Sequence, residues 1–135
     1  MCDISKKTTF KRKTVYKAVI KNKEHYYSYF AGTPIEIGKV NPQQGNSFGT
    51  PEYKLFFPNN IHYNPNMIGR CSGFFAKEDA KKFVHESPAG TRLLKIVLGG
   101  EIMQGTTAKI CSPGCIPWDH ITYAGTEILS FEEIN

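Results

Sequence analysis

The chain has no run of about 18 apolar residues, so no helical membrane span is expected. Its basic N-terminus lacks a following apolar segment, so a secretory signal is not expected either, and the cytosol of a cell or of an infected host is the expected compartment. Cysteine is scarce: Cys2, Cys71, Cys111 and Cys115 are too few and too scattered for a secreted disulfide framework, and reduced thiols follow. Neither an internal repeat nor a low-complexity segment is visible. No strong metal, nucleotide or catalytic-triad motif stands in the 135 residues, which leaves function to be argued from weaker patterns.

What is present is a strand, helix and strand in sequence. Ala76, Ala80, Phe83 and Val84 fall on one stripe of a 3.6-residue period, while Lys77, Glu78, Lys81 and Lys82 fall outside it. This predicts a helix near residues 76 to 85 lying on a sheet. Ser87-Pro88-Ala89-Gly90 ends it, and Arg92 to Leu98 is the returning strand, nearly continuous in apolar residues and therefore central or covered on both faces. Ala80, Phe83 and Val84 are expected to meet Leu94 and Ile96.

Elsewhere the pattern is extended. Thr14 to Ile20 and His25 to Phe30 flank a polar turn and predict a hairpin. Ile35 to Val40 alternates apolar with polar, as a half-buried strand does. Residues 41 to 69 hold four prolines and read as loop, with Lys54 to Phe57 the one strand in it. Short strands are also expected at residues 101 to 103, 108 to 111, 120 to 123 and 127 to 131, separated by glycine turns. The sum is one α+β domain over residues 14 to 135: a mainly antiparallel sheet of six to eight short strands with one principal helix, preceded by a basic arm at residues 1 to 13.

Charge is uneven along the chain. The first 23 residues carry eight Lys or Arg against the single acid Asp3, and the other 112 carry nine basic and eleven acidic groups. Lys11, Arg12, Lys13 and Lys17 in that end attract phosphates, so a nucleotide, a nucleic-acid backbone or an acidic surface is the expected partner. A solvated tail that aids solubility is the plainer alternative. Tyr53, His62 and Tyr63 in the long loop could stack on a base or, more plainly, pin the loop to the body. Arg70 adds a cation beside Cys71, where it could lower a thiol pKa, although a buried cysteine is the simpler reading. Cys111, Cys115 and His120 are the one cluster of soft donors, but a single pair does not have the repeated spacing of a zinc site, so no metal is expected and Pro113-Gly114 reads as a turn.

Val15-Tyr16-Lys17-Ala18, Gly73-Phe74-Phe75-Ala76 with the following Glu78 to Phe83, and Gly125-Thr126-Glu127-Ile128-Leu129 together resemble small ADP-ribosyltransferase-like domains. The resemblance spans most of the chain through short, degenerate motifs. It implies NAD as substrate, a first-strand Arg or His on the dinucleotide, a Ser or Tyr in the second motif, and a ribose-orienting Glu in the last. The matching positions are Lys17, Phe75 or Ser72, and Glu127, so only the catalytic Glu127 agrees. Lysine lacks the guanidinium fork and phenylalanine offers no hydrogen bond. A small accessory binding protein of viral or bacterial origin, without a cofactor, is therefore the expectation. An enzyme acting on NAD and a protein-interaction module without a small ligand are the alternatives.

Overall fold

The computed structural model describes residues 2–28, 34–41, 66, 68–85, 90–107 and 120–134. Their elements run β1 (Cys2–Lys7), β2 (Lys13–Asn22), β3 (His25–Ser28), β4 (Gly38–Lys39), β5 (Cys71–Phe74), α1 (Lys77–His85), β6 (Thr91–Thr107) and β7 (Ile121–Ile134). All named pairings are antiparallel, and α1 is the one helix among the described residues. It is neither long nor apolar enough to cross a membrane.

The two long strands organise everything else. β7 accompanies β6 from Leu93↔Ile134 to Thr106↔Ile121, so β6 has its other edge free for two partners. β2 takes the first half, from Ile20↔Thr91 to Lys13↔Leu98, and β1 takes the second, from Lys7↔Met103 to Cys2↔Thr107. β5 then bridges β2 at Tyr16↔Phe74 and β7 at Cys71↔Gly125 through Phe74↔Thr122. Because β2 and β7 each also pair with β6, the strands β6, β2, β5 and β7 close a ring.

Val15, Val19, Cys71, Leu94, Ile96, Leu98, Ile102, Tyr123 and Ile128 fill that ring, with Ile35 joining from the β3–β4 connection. Closure brings β5 close to β2 at Gly73. A Cβ there would stand 2.7 Å from Val15 Cγ2 and 3.0 Å from the Tyr16 carbonyl oxygen, so only glycine fits. The opposite face of β2 carries Tyr16 and Ala18, paired with Lys95 and Leu93, and it is this face that α1 covers. Phe74, the partner of Tyr16, meets Phe83 of α1 with ring centroids 6.4 Å apart. Glu78 and Asp79 in the first turn and Lys82 and His85 in the last suit the helix dipole.

The mainly antiparallel sheet with one short helix agrees with the expected architecture, and the β2–β3 hairpin is present, turning at Lys23 with φ 59°. Several details differ. Leu94 and Ile96 lie on the ring's inner face with Val15 and Val19, so α1 meets the Leu93 side instead. Ala80 is buried, but Phe83 and Val84 are only half-buried, because a single helix leaves their outer edges to solvent. Gly99-Gly100 is not a turn: Gly100, at φ +69°, is the extra residue of a bulge, and β6 runs on through it for 17 residues. Gly125-Thr126 is likewise interior to β7. Within Ile35 to Val40 only Gly38–Lys39 is strand, paired with Ile128 and Glu127, while the Ile35 and Val40 N–H groups donate to the Tyr26 and Thr126 carbonyls, both at 2.9 Å. The basic arm is partly strand, since β1 pairs with β6 and buries Ile4 beside Met103 and Ala124. The expected strands at 54–57 and 108–111 lie outside the described residues.

Candidate functional site

The basic end of the chain is built on a scaffold rather than hanging free. β1 and β2 share one edge of β6, so residues 8–12 must cross the Gly99–Ile102 bulge to join them. Thr8 fixes this connector: its backbone N–H and its hydroxyl both donate to the Ile102 carbonyl, at 3.2 and 2.7 Å. Lys11 and Arg12 are exposed on it, and Lys6 and Lys7 are exposed at the end of β1, where successive side chains point to opposite faces. Among the described residues none of the four has an ion-pair partner, whereas Lys21 and Arg92 share Glu133, Lys95 pairs with Glu132 and Arg70 with Glu101. Four cations without an ion-pair partner among the described residues, close together in sequence, contribute a positive field that a polyanion would neutralise.

Lys13, at the start of β2, is directed differently. Its Nζ lies 4.4 Å from the ring centroid of Phe10, 4.6 Å from that of Phe75 and 4.8 Å from that of Tyr123. The rings stand nearly perpendicular, Phe10 to Tyr123 at 78° and Phe75 to Tyr123 at 74°, which makes three walls around one ammonium. Tyr123 forms a buried floor, and Phe10 and Phe75 are 43% and 47% exposed, so their outer faces meet solvent. The Phe75 N–H donates to the Ile121 carbonyl at 2.9 Å, which holds that wall against β7.

Lys17 is separate from both groups. It shares the inner face of β2 with Val15 and Val19, and its stem carries the ammonium across to β5, where it donates to the Ser72 carbonyl at 2.9 Å and to Ser72 Oγ at 3.4 Å. Arg70 is mostly enclosed: it donates to the Asn66 carbonyl at 2.9 Å and pairs with Glu101 at 3.5 Å. Its Nε is buried with no partner among the described residues. Glu127 sits opposite Gly99 and Lys39, half-buried, with no side-chain partner among the described residues. Ser72 faces Ala124, three positions from Glu127, or roughly 10 Å along β7. The structure thus joins two of the three positions drawn from the ADP-ribosyltransferase resemblance and leaves the carboxylate a strand segment away.

His120 Nδ1 lies 3.2 Å from Asp79 Oδ2, which ties the start of β7 to α1, and its ring meets the edge of Phe74 at 6.3 Å. Cys111 and Cys115, its expected companions, lie outside the described residues, as do Tyr53, His62 and Tyr63. No group of three potential metal ligands occurs among the described residues. Cys71 is buried in the core.

Sequence reasoning missed Phe10 and Tyr123 as partners of Lys13. Phe10 inside a basic run was the available signal; Tyr123 could not be placed without the β5–β7 register. No family model, curated protein or solved structure matches the chain.

Proposed function

We propose that this chain binds the phosphate backbone of a nucleic acid along the β1–β2 connector. The observation that carries the proposal is that Lys6 and Lys7 at the end of β1, and Lys11 and Arg12 on the connector anchored by Thr8, are exposed and have no carboxylate partner among the described residues. Each cation is a point of phosphate contact that releases condensed counterions. The exposed rings of Phe10, on the connector, and of Phe75, across Lys13 from it, supply faces on which bases of a single strand can stack. Contacts of this kind read backbone and ring surface rather than sequence, so the expected binding tolerates many sequences.

The test is binding of a fluorescent single-stranded oligonucleotide to the full chain and to a Lys6→Glu/Lys7→Glu/Lys11→Glu/Arg12→Glu variant. The proposal expects most of the affinity to disappear in the variant while its thermal melt is kept. Equal binding by a folded variant would refute it.

A second reading, ADP-ribosyl transfer from NAD, rests on the approach of Lys17 to Ser72, since Lys17 matches the first-strand position that contacts the dinucleotide in ADP-ribosyltransferase-like domains and Ser72, or else Phe75, matches the second motif. Glu127 would then orient the ribose hydroxyl from its place on β7, roughly 10 Å along the strand from the residue opposite Ser72.

A further inference from the structure

The three rings around Lys13 carry an inference beyond polyanion binding: we propose that Phe10, Phe75 and Tyr123 form a binding site for a quaternary methylammonium group, which Lys13 occupies from within the chain. Aromatic walls on several sides of a cation attract it through their negative faces, and such cages suit methylated ammonium better than other ligands.

Two features of the occupant favour a methylated guest over a bare ammonium. First, the half-buried Lys13 ammonium has no hydrogen-bond acceptor among the described residues, so the cage walls themselves offer its three N–H donors no partner. A quaternary nitrogen has no donors to satisfy. Second, the radius is generous. Methyl carbons pack at about 3.5–4.0 Å from ring carbons and lie about 1.5 Å from their nitrogen, which places a quaternary nitrogen at roughly the 4.4–4.8 Å seen here.

The walls are also pre-positioned. Tyr123 is held in β7 between Gly73 of β5 and Gln104 of β6, and Phe75 is hydrogen-bonded to β7, so an arriving cation needs to move only Lys13 and Phe10 on the connector. Lys13 then swings outward, where it joins the other cations of the connector. Because the intramolecular competitor is always present, the apparent affinity of the wild-type chain is reduced by the fraction of time the cage stands open.

Choline and Nε-trimethyllysine share the quaternary methylammonium group and represent a free headgroup and a modified protein side chain. Proton NMR would follow upfield ring-current shifts of their methyl signals on titration with the full chain and with Lys13→Gln. Lys13→Gln is expected to bind with about tenfold higher affinity than wild type. Lys13→Gln/Phe75→Ala is expected to lose the shift, and 3,3-dimethylbutanol, the neutral isostere of choline, to bind far more weakly than choline. A preference for choline or for trimethyllysine assigns the source. If Lys13→Gln does not fold, wild type at tenfold higher ligand concentration should show the Lys13 ε-methylene protons leaving the ring-current field. A folded Lys13→Gln that shifts neither ligand, binding of the neutral isostere equal to that of choline, or binding that persists without Phe75 overturns the proposal, as does a Lys13 signal unmoved at saturating ligand.

Discussion

Replacing Gly73 with alanine tests the closure of the strand ring at its tightest point. The new Cβ would stand 2.7 Å from Val15 Cγ2, 2.9 Å from Val15 Cβ and 3.0 Å from the Tyr16 carbonyl oxygen. Ordinary carbon contacts are about 3.5–4.0 Å, so roughly 1 Å must be found. Neither neighbour gives way easily. Val15 is fully buried and stiff at χ1, and the Tyr16 carbonyl belongs to the backbone at the β2–β5 pairing. Overpacking of this kind costs about 1–3 kcal/mol. The substitution also restricts the unfolded chain, which offsets about 0.4–1 kcal/mol where the fold tolerates it. The expected net loss is about 1–2 kcal/mol, or a fall in melting temperature of about 4–8 °C at this size. Circular dichroism melts of Gly73→Ala, Val15→Ala and the double variant form a cycle. Removing the Val15 methyl groups should make the alanine at 73 cheaper by about 0.5–1 kcal/mol, a non-additivity expected only for residues in contact. A Gly73→Ala protein as stable as wild type, or strictly additive costs, would refute the close approach of β5 to β2.

Leu94→Ala, on the inner face and fully buried, is expected to cost about 2–5 kcal/mol by denaturant unfolding. Phe83→Ala should cost distinctly less than the 3–5 kcal/mol of a fully enclosed aromatic, because Phe83 is half-buried over Phe74. Glu133→Gln, which weakens pairs with Lys21 and Arg92 at the sheet end, should change stability by under about 1 kcal/mol, since all three side chains are over a third exposed. If NAD is a substrate, labelled NAD should be consumed by the intact chain and not by Glu127→Gln; absence of turnover by the intact chain removes the enzymatic reading.

The helix and the hairpin were legible because their periods are local: the stripe through Ala80 and Phe83 and the alternation on either side of Lys23 need no partner to be seen. The helix partner was not, because β6 is apolar on both faces and sequence alone cannot tell Leu93 from Leu94. Gly99-Gly100 and Gly125-Thr126 misled for a related reason. Glycine marks a bulge as readily as a turn, and what decides here is long-range: Thr126 Oγ1 accepts from the Glu101 N–H at 2.9 Å, and β6 stays paired to β7 on both sides. At the candidate site the basic excess was plain in the sequence. Which cations would remain unpaired, and that Lys13 would turn into a ring of aromatics, depended on the β5–β7 register and the path of residues 8–12 over the bulge.

The salt dependence of single-strand binding tests the central claim most directly. If Lys6, Lys7, Lys11 and Arg12 each neutralise one phosphate, the logarithm of the binding constant should fall against the logarithm of salt concentration with a slope of about −3, and each charge removed should reduce that slope by about 0.7. Anisotropy titrations across a range of salt concentrations give the value. A slope near −3 that shrinks stepwise with Lys11→Gln and then Arg12→Gln is the expected result, whereas binding indifferent to salt, or a slope unchanged by both substitutions, would contradict it.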